Sequence, residues 1–278
     1  MKARARVAGA TAWLMVALAT AAAGAFTLEG PLQQGGLALG QAVPGAEVTV
    51  DGQPVRVSPR GLFVLGFGRD APAQAVLEVR RPDGTAERRQ LEITAREYEI
   101  QRIDGLPSSQ VAPDAEALER ITAEVTLIRT ARARDTAANW FADGFAWPVL
   151  GRLSGIYGSQ RILNGEARQP HKGVDVAAPA GTPVVTTAPG IVTLVHDDMF
   201  FTGKTVMVDH GHGLASIYAH MSEIEVAEGQ VVARGAVIGR VGASGRATGP
   251  HLHWGVSLFG EALDPELLAG PMPPVAGD

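Results

Sequence analysis

Three short stretches carry side chains that could do chemistry together: His171-Lys172-Gly173-Val174-Asp175, Tyr218-Ala219-His220 and His251-Leu252-His253-Trp254. Pro170 precedes the first, Gly173 sits inside it, and Pro179 and Pro183 follow, so a helix is disfavoured there. In an extended chain, residues four apart point the same way, and His171 can meet Asp175. The same parity puts His251 and His253 on one face of a strand. The chain has no cysteine, which removes disulfides, thiolate metal sites and cysteine nucleophiles and leaves imidazole and carboxylate as metal ligands. Two histidines and an aspartate make a three-ligand zinc site with a coordination position left for water. Zinc there could lower the pKa of that water from about 15.7 toward about 7 while polarising a substrate carbonyl. Two further histidines could then handle protons and stabilise developing charge. For any single histidine an ordinary hydrogen-bonded role competes with this reading, whereas the set together argues for a centre. His196, beside Asp197 and Asp198, reads as an exposed loop residue, and His210 and His212 flank a glycine turn. Asp209-His210, at a strand end, is the main competing candidate for contact with a metal.

All seven histidines follow Trp147, which assigns the chemistry to the C-terminal part. Strand signals recur there: Gly190 to Val195, Thr205 to Val208, Ala215 to Tyr218, Val231-Val232 and Val237 to Gly239, punctuated by Pro and Gly. From Phe26 to about Thr94, short alternating runs separated by Asp51-Gly52 and Pro82-Asp83-Gly84 predict a small antiparallel, immunoglobulin-like β-sandwich. That segment holds no histidine. Between Pro113 and Asp135, Ala117, Leu118, Ile121, Val125 and Ile128 recur at three- and four-residue spacing, which predicts an amphipathic helix linking the two parts or packing on one of them. The expected organisation is a signal peptide at 1–25, a β-sandwich domain at 26–100, a linker with the helix at 101–137 and a second β-domain, bearing all the histidines, at 138–278.

With 278 residues the chain suits one large domain or two small ones, and its 46% hydrophobic and 19% charged residues exclude a wholly disordered protein. A formal charge of −5 gives no net positive field for phosphate backbones, so nucleic acid is not an expected partner. Lys2, Arg4 and Arg6 precede an uncharged run from Val7 to Ala25 that ends Ala23-Gly24-Ala25, the layout of a secretory signal with cleavage after Ala25. About 19 apolar residues could also just span a bilayer as an uncleaved anchor. The weakly apolar, Ala-rich second half favours cleavage and an exported, periplasmic protein with no stable membrane insertion.

The stretch from Trp147 to Pro265 resembles the zinc metallopeptidases of the lysostaphin and LytM type, peptidase family M23. The resemblance rests on His171 to Asp175 followed by Val-Ala-Ala-Pro-Ala-Gly-Thr-Pro-Val, on Val208-Asp209-His210-Gly211, on Tyr218 to Ser222, on Gly229-Gln230, on Ile238-Gly239 and on Gly242 to Trp254. It implies an antiparallel β-sheet peptidase domain, one Zn2+ held by His171, Asp175 and His253, and His220 and His251 as general base and electrostatic partner. The implied substrate is the stem peptides of peptidoglycan, cut at a peptide bond rather than in the glycan, so a glycosidase's paired carboxylates are not required. Met221 and Trp254 stand where Leu and a smaller aromatic are common, which bears on groove packing and not on the metal. Some members of the family have lost ligands and instead activate a cell-wall amidase. Every ligand and both further histidines are present here, so the alternative of a noncatalytic LytM-like activator takes second place.

Overall fold

Apolar residues alternating with polar ones between turn signals build strands from the first described residue onward. The computed structural model describes residues 26–104 and 115–274, so the expected signal peptide lies outside the described residues. In the N-terminal part, β1 (Phe26–Glu29), β2 (Leu37–Ala42) and β5 (Leu62–Gly66) form one antiparallel sheet. The second sheet takes β3 (Glu47–Val50), β4 (Gln53–Val55), β6 (Gln74–Arg80) and β7 (Ala86–Glu92) in the order β4-β3-β6-β7. Ala75, Leu77 and Val79 alternate inward along β6 and meet Phe63, Leu65 and Ala38 in a shared core. Asp51 and Gly52 both have positive φ, as a two-residue hairpin turn between β3 and β4 requires.

Next come β8 (Ile100–Ile103), helix α1 (Ala115–Arg132), β9 (Arg152–Gly155), β10 (Gln160–Leu163), β11 (Glu166–Ala167) and β12 (Val174–Ala177). They are followed by β13 (Pro183–Val185), β14 (Gly190–Met199), β15 (Gly203–Gly211), β16 (Leu214–Ile224), β17 (Val231–Val232) and β18 (Val237–Val241). The chain then forms β19 (Leu252–Leu258), β20 (Glu261–Leu263) and the short α2 (Pro265–Ala269). Strands β17-β14-β15-β16-β19-β12-β9 lie side by side in one large sheet, antiparallel throughout, with β13, β18 and β20 paired along it. The protein is mainly β, as expected from the sequence.

The two faces of this sheet have different jobs. Tyr218 pairs with Trp254, and both are buried with Leu252 and Val256 in the main core. On the other face Ala219 pairs with His253, and His253 with Asp175. Helix α1 lies on that second face, where Ala131 and Ile128 pack with Leu194, Met199, Met207, Ala215 and Ile217. Its buried side differs from the expected stripe. Ile121 and Ile128 turn inward, but Leu118 and Val125 are 49% and 44% exposed, and Glu124 is buried in their stead. The Glu124 carboxylate accepts the Phe200 N–H at 2.8 Å and pairs with Arg120 at 2.7 Å, which anchors the helix to the end of β14 by a polar contact. Among the described residues no helix is long and apolar enough to cross a membrane.

Residues 101–103, at the start of the stretch expected as a linker, lie in β8, which runs parallel to β10 in a three-stranded sheet with β11. The two parts of the chain also meet elsewhere. Arg96 pairs with the buried Asp264 at 2.7 Å, Arg69 Nε–H bonds the Gly158 carbonyl at 2.8 Å, and Leu37 and Val64 enter the main core.

Candidate metal centre

His171 lies just ahead of β12, Asp175 on β12 and His253 on β19, and the register of the two strands sets Asp175 directly opposite His253. Asp175 Oδ1 is 3.1 Å from His171 Nε2 and 2.9 Å from His253 Nδ1, and the two ring nitrogens are 3.0 Å apart. One ligand atom from each of the three residues thus lies within 4.8 Å of the others. The Ile156 carbonyl accepts from His171 Nδ1 at 3.0 Å, which fixes the orientation of the ring and turns Nε2 toward Asp175 Oδ1. Gly155, on β9, lets the backbone pass close to Asp175, since a side chain there would strike the carboxylate.

Electrostatics bind the trio together. Burial works against the Asp175 anion, but hydrogen bonds from His171 and His253 and their charges outweigh it and hold its pKa well below the usual carboxylate range. Burial likewise opposes a charged His171, yet the hydrogen bond and charge of Asp175 leave its pKa raised. At His253 burial prevails and the pKa falls. A carboxylate kept ionised between two imidazole nitrogens is a donor set that suits a divalent cation of borderline softness.

His220 and His251 complete the ring of imidazoles. Strict alternation along β16 would send His220 to the Tyr218 face, into the core. The register between β15 and β16 shifts near this point, and His220 takes a left-handed backbone with φ 62, which brings its ring round to the other face. There its centroid lies 4.6 Å from that of His251 and 6.3 Å from that of His253. The Ser244 carbonyl accepts from His220 Nδ1 at 2.9 Å and the Gly249 carbonyl from His251 Nδ1 at 2.8 Å. Each ring therefore turns Nε2 away from its backbone tether, and His251 Nε2 stands 4.0 Å from Asp175 Oδ1. Burial lowers the His220 pKa to about 4, so the ring is neutral at neutral pH and able to accept a proton.

The structure brings together all five residues singled out by sequence, and leaves the other histidines outside. His196 is half-buried on β14, opposite Thr205, and not in an exposed loop; its Nδ1 accepts the Asp198 N–H at 3.1 Å. His210 is fully buried between the Pro189 carbonyl at 2.7 Å and Ser216 Oγ at 2.8 Å, apart from the cluster. His212 occupies the turn after β15 with φ 52. Sequence reasoning passed over Ser244. Besides holding His220 through its carbonyl, its hydroxyl donates to the Met221 carbonyl at 2.7 Å and accepts the Lys204 N–H at 2.8 Å, tying the loop before β19 to β15 and β16. Its place in the Gly242-to-Trp254 stretch was the available signal.

Residues 169–265 match the model of peptidase family M23. The chain is 44% identical over 103 residues to the DD-carboxypeptidase/endopeptidase Mpg of Neisseria meningitidis serogroup B, a match covering 37% of this chain and 24% of that protein. It is 41% identical over 95 residues to the peptidoglycan DD-endopeptidase ShyA of Vibrio cholerae, covering 34% and 22%. The matches thus span about a quarter of these relatives' own length. A crystal structure of a putative peptidase M23 from Pseudomonas aeruginosa superposes with a TM-score of 0.64 at 35% identity, covering 86% of this chain and 95% of that one.

Proposed function

The chain belongs to peptidase family M23, and from that premise we propose that it is a zinc-dependent endopeptidase that hydrolyses peptide cross-links of peptidoglycan in an exported, periplasmic setting. The observation that carries the reading is the convergence of His171 Nε2, Asp175 Oδ1 and His253 Nδ1, with the rings of His220 and His251 turned to the same space. The similar proteins named for peptidoglycan endopeptidase activity supply the substrate class.

In this reading His171, Asp175 and His253 hold one zinc ion, and Asp175 offsets part of its charge. When bound, zinc supplies Lewis acidity toward a peptide carbonyl and lowers the pKa of a water nucleophile. His220, kept neutral by burial, takes up a proton at Nε2. His251 faces it across the same space and stabilises charge that develops on the substrate. The backbone carbonyls of Ser244 and Gly249 keep both rings aimed, so neither must reorient during the reaction. The division into residues 26–100, 101–137 and 138–278 is retained as a proposal, with the first region positioning the peptidase part or restraining it.

Incubating the purified chain with a synthetic cross-linked stem-peptide dimer tests the reading. Hydrolysis by the chain alone, abolished by a chelator and restored by zinc, is the expected outcome. Stimulation of a cell-wall amidase with no cleavage by the chain itself would replace the endopeptidase with an activator.

A further inference from the structure

His171 stands outside the strands, so no strand register fixes it; its backbone is held instead by the loop that follows β9. The Gly158 N–H donates to the His171 carbonyl at 2.9 Å, and the His171 N–H donates to the Ser159 carbonyl at 2.8 Å. With the Ile156 carbonyl at the ring, residues 156–159 set both the backbone and the ring of this residue. That loop is itself held from the N-terminal part. Arg69, between β5 and β6, reaches across with its Nε–H to the Gly158 carbonyl at 2.8 Å, and the Gln160 N–H donates to the Glu99 carbonyl at 2.9 Å where β8 joins β10. Tyr98 closes the contact. Its ring lies against Gly158, whose φ of 77 suits glycine, and a Cβ there would strike the ring. The Arg69 guanidinium covers the same ring at 4.4 Å from its centroid, and only 17% of the Arg69 side chain is exposed.

A ligand carried on a loop has the fixed geometry that metal affinity depends on only where the loop backbone is itself tied down. Here the tie comes from the other part of the chain. Arg69 to Gly158 to His171 is a continuous path of two hydrogen bonds, and Tyr98 fills the space beside Gly158 that a side chain would otherwise take. We infer that Arg69 and Tyr98 are positioning residues for the metal centre, holding Gly158 and through it His171, so that the N-terminal β-part completes the site. The Tyr98 hydroxyl is buried and bonds no partner among the described residues, so the ring is the part that acts. The inference rests on the reading of His171 as a zinc ligand and is independent of the substrate.

The test titrates the metal-free full chain with Zn2+ in competition with a chromophoric chelator, and with Co2+, whose visible absorption reports the geometry of its ligands. Arg69→Ala and Tyr98→Ala should each weaken Zn2+ binding by about tenfold, the lower end of what loss of an outer partner costs a metal site, and should alter the Co2+ spectrum. Tyr98→Phe should match the native chain. Arg56→Ala, which breaks the ion pair to Asp135 elsewhere between the two parts, should also leave affinity and spectrum native. Hydrogen exchange reads the same tie without metal: the His171 and Gly158 amides should exchange faster in Arg69→Ala and Tyr98→Ala, and not in Arg56→Ala. Native Zn2+ affinity in both Arg69→Ala and Tyr98→Ala, or an equal loss in Arg56→Ala, would overturn the inference. Should the native chain take up no metal while exchange still quickens in Arg69→Ala and Tyr98→Ala alone, the tie to His171 stands and the zinc reading fails.

Discussion

His251 and His253 stand two residues apart yet present different atoms to the centre. His253 Nδ1 is 2.9 Å from Asp175 Oδ1, in the midst of the ligand cluster, whereas His251 Nδ1 is tied to the Gly249 carbonyl and its Nε2 stands back at 4.0 Å. His253→Ala should therefore lose both zinc and activity. His251→Ala should keep zinc and lose roughly 10²–10⁴-fold in rate, the usual worth of a positioned acid or base. His220→Ala should follow His251→Ala. Metal content measured beside hydrolysis separates these outcomes, and zinc lost from His251→Ala but kept in His253→Ala would reverse the assignment. The five residues were legible in sequence because each carries its chemistry in its side chain and their spacing fits strands. The Ile156, Ser244 and Gly249 carbonyls that aim the rings were not, since any residue type can supply a carbonyl. The route of His220 to the site was equally hidden. It depends on a register shift and a left-handed backbone at a residue whose type does not announce either.

Strands β15 and β16 enclose a second polar group away from the metal ligands. His210 bonds the Pro189 carbonyl and the Ser216 hydroxyl, which is 3.0 Å from the Tyr218 hydroxyl, and that in turn accepts the Thr187 N–H at 2.9 Å. Burial lowers the His210 pKa from its ordinary 6.5 to about 4. An unfolded chain takes up this proton as pH falls below about 6.5, and the folded chain resists until about 4. The stability present above pH 6.5 is therefore lost through that window, by up to roughly 3 kcal/mol. Urea unfolding of the native chain and of His210→Gln at several pH values should show their stability gap narrowing with acid; a gap independent of pH would contradict the assignment. Strand existence was readable from alternation and turns, as β6 and the Asp51-Gly52 hairpin illustrate. Two features were not. The parallel pairing of β8 with β10 joins segments far apart in sequence, and the inner side of α1 is set by Glu124 bonding the Phe200 N–H, which a hydrophobic period does not register.

Across the whole molecule, the N-terminal and C-terminal parts are joined by ionic as well as apolar contacts. Asp264 is buried, caps α2 through the Glu266 N–H at 3.0 Å, donates its own N–H to the Gly35 carbonyl at 2.8 Å and pairs with Arg96. Arg96→Ala leaves that carboxylate without its cation and should cost on the order of 2 kcal/mol in a thermal or denaturant melt, with zinc content unchanged. Unchanged stability would mean that solvent replaces Arg96 at this seam. At this same scale the central proposal is that the centre, loaded with a single zinc ion, cuts peptide bonds of the cell wall. The most direct measurement is digestion of purified peptidoglycan by the full chain, with and without chelator, and with products identified by mass. The account predicts zinc-dependent release of fragments with new amino and carboxyl termini at the peptide cross-links and with intact glycan. Undiminished cleavage in the metal-stripped chain, or new reducing sugar ends in place of peptide termini, would contradict it.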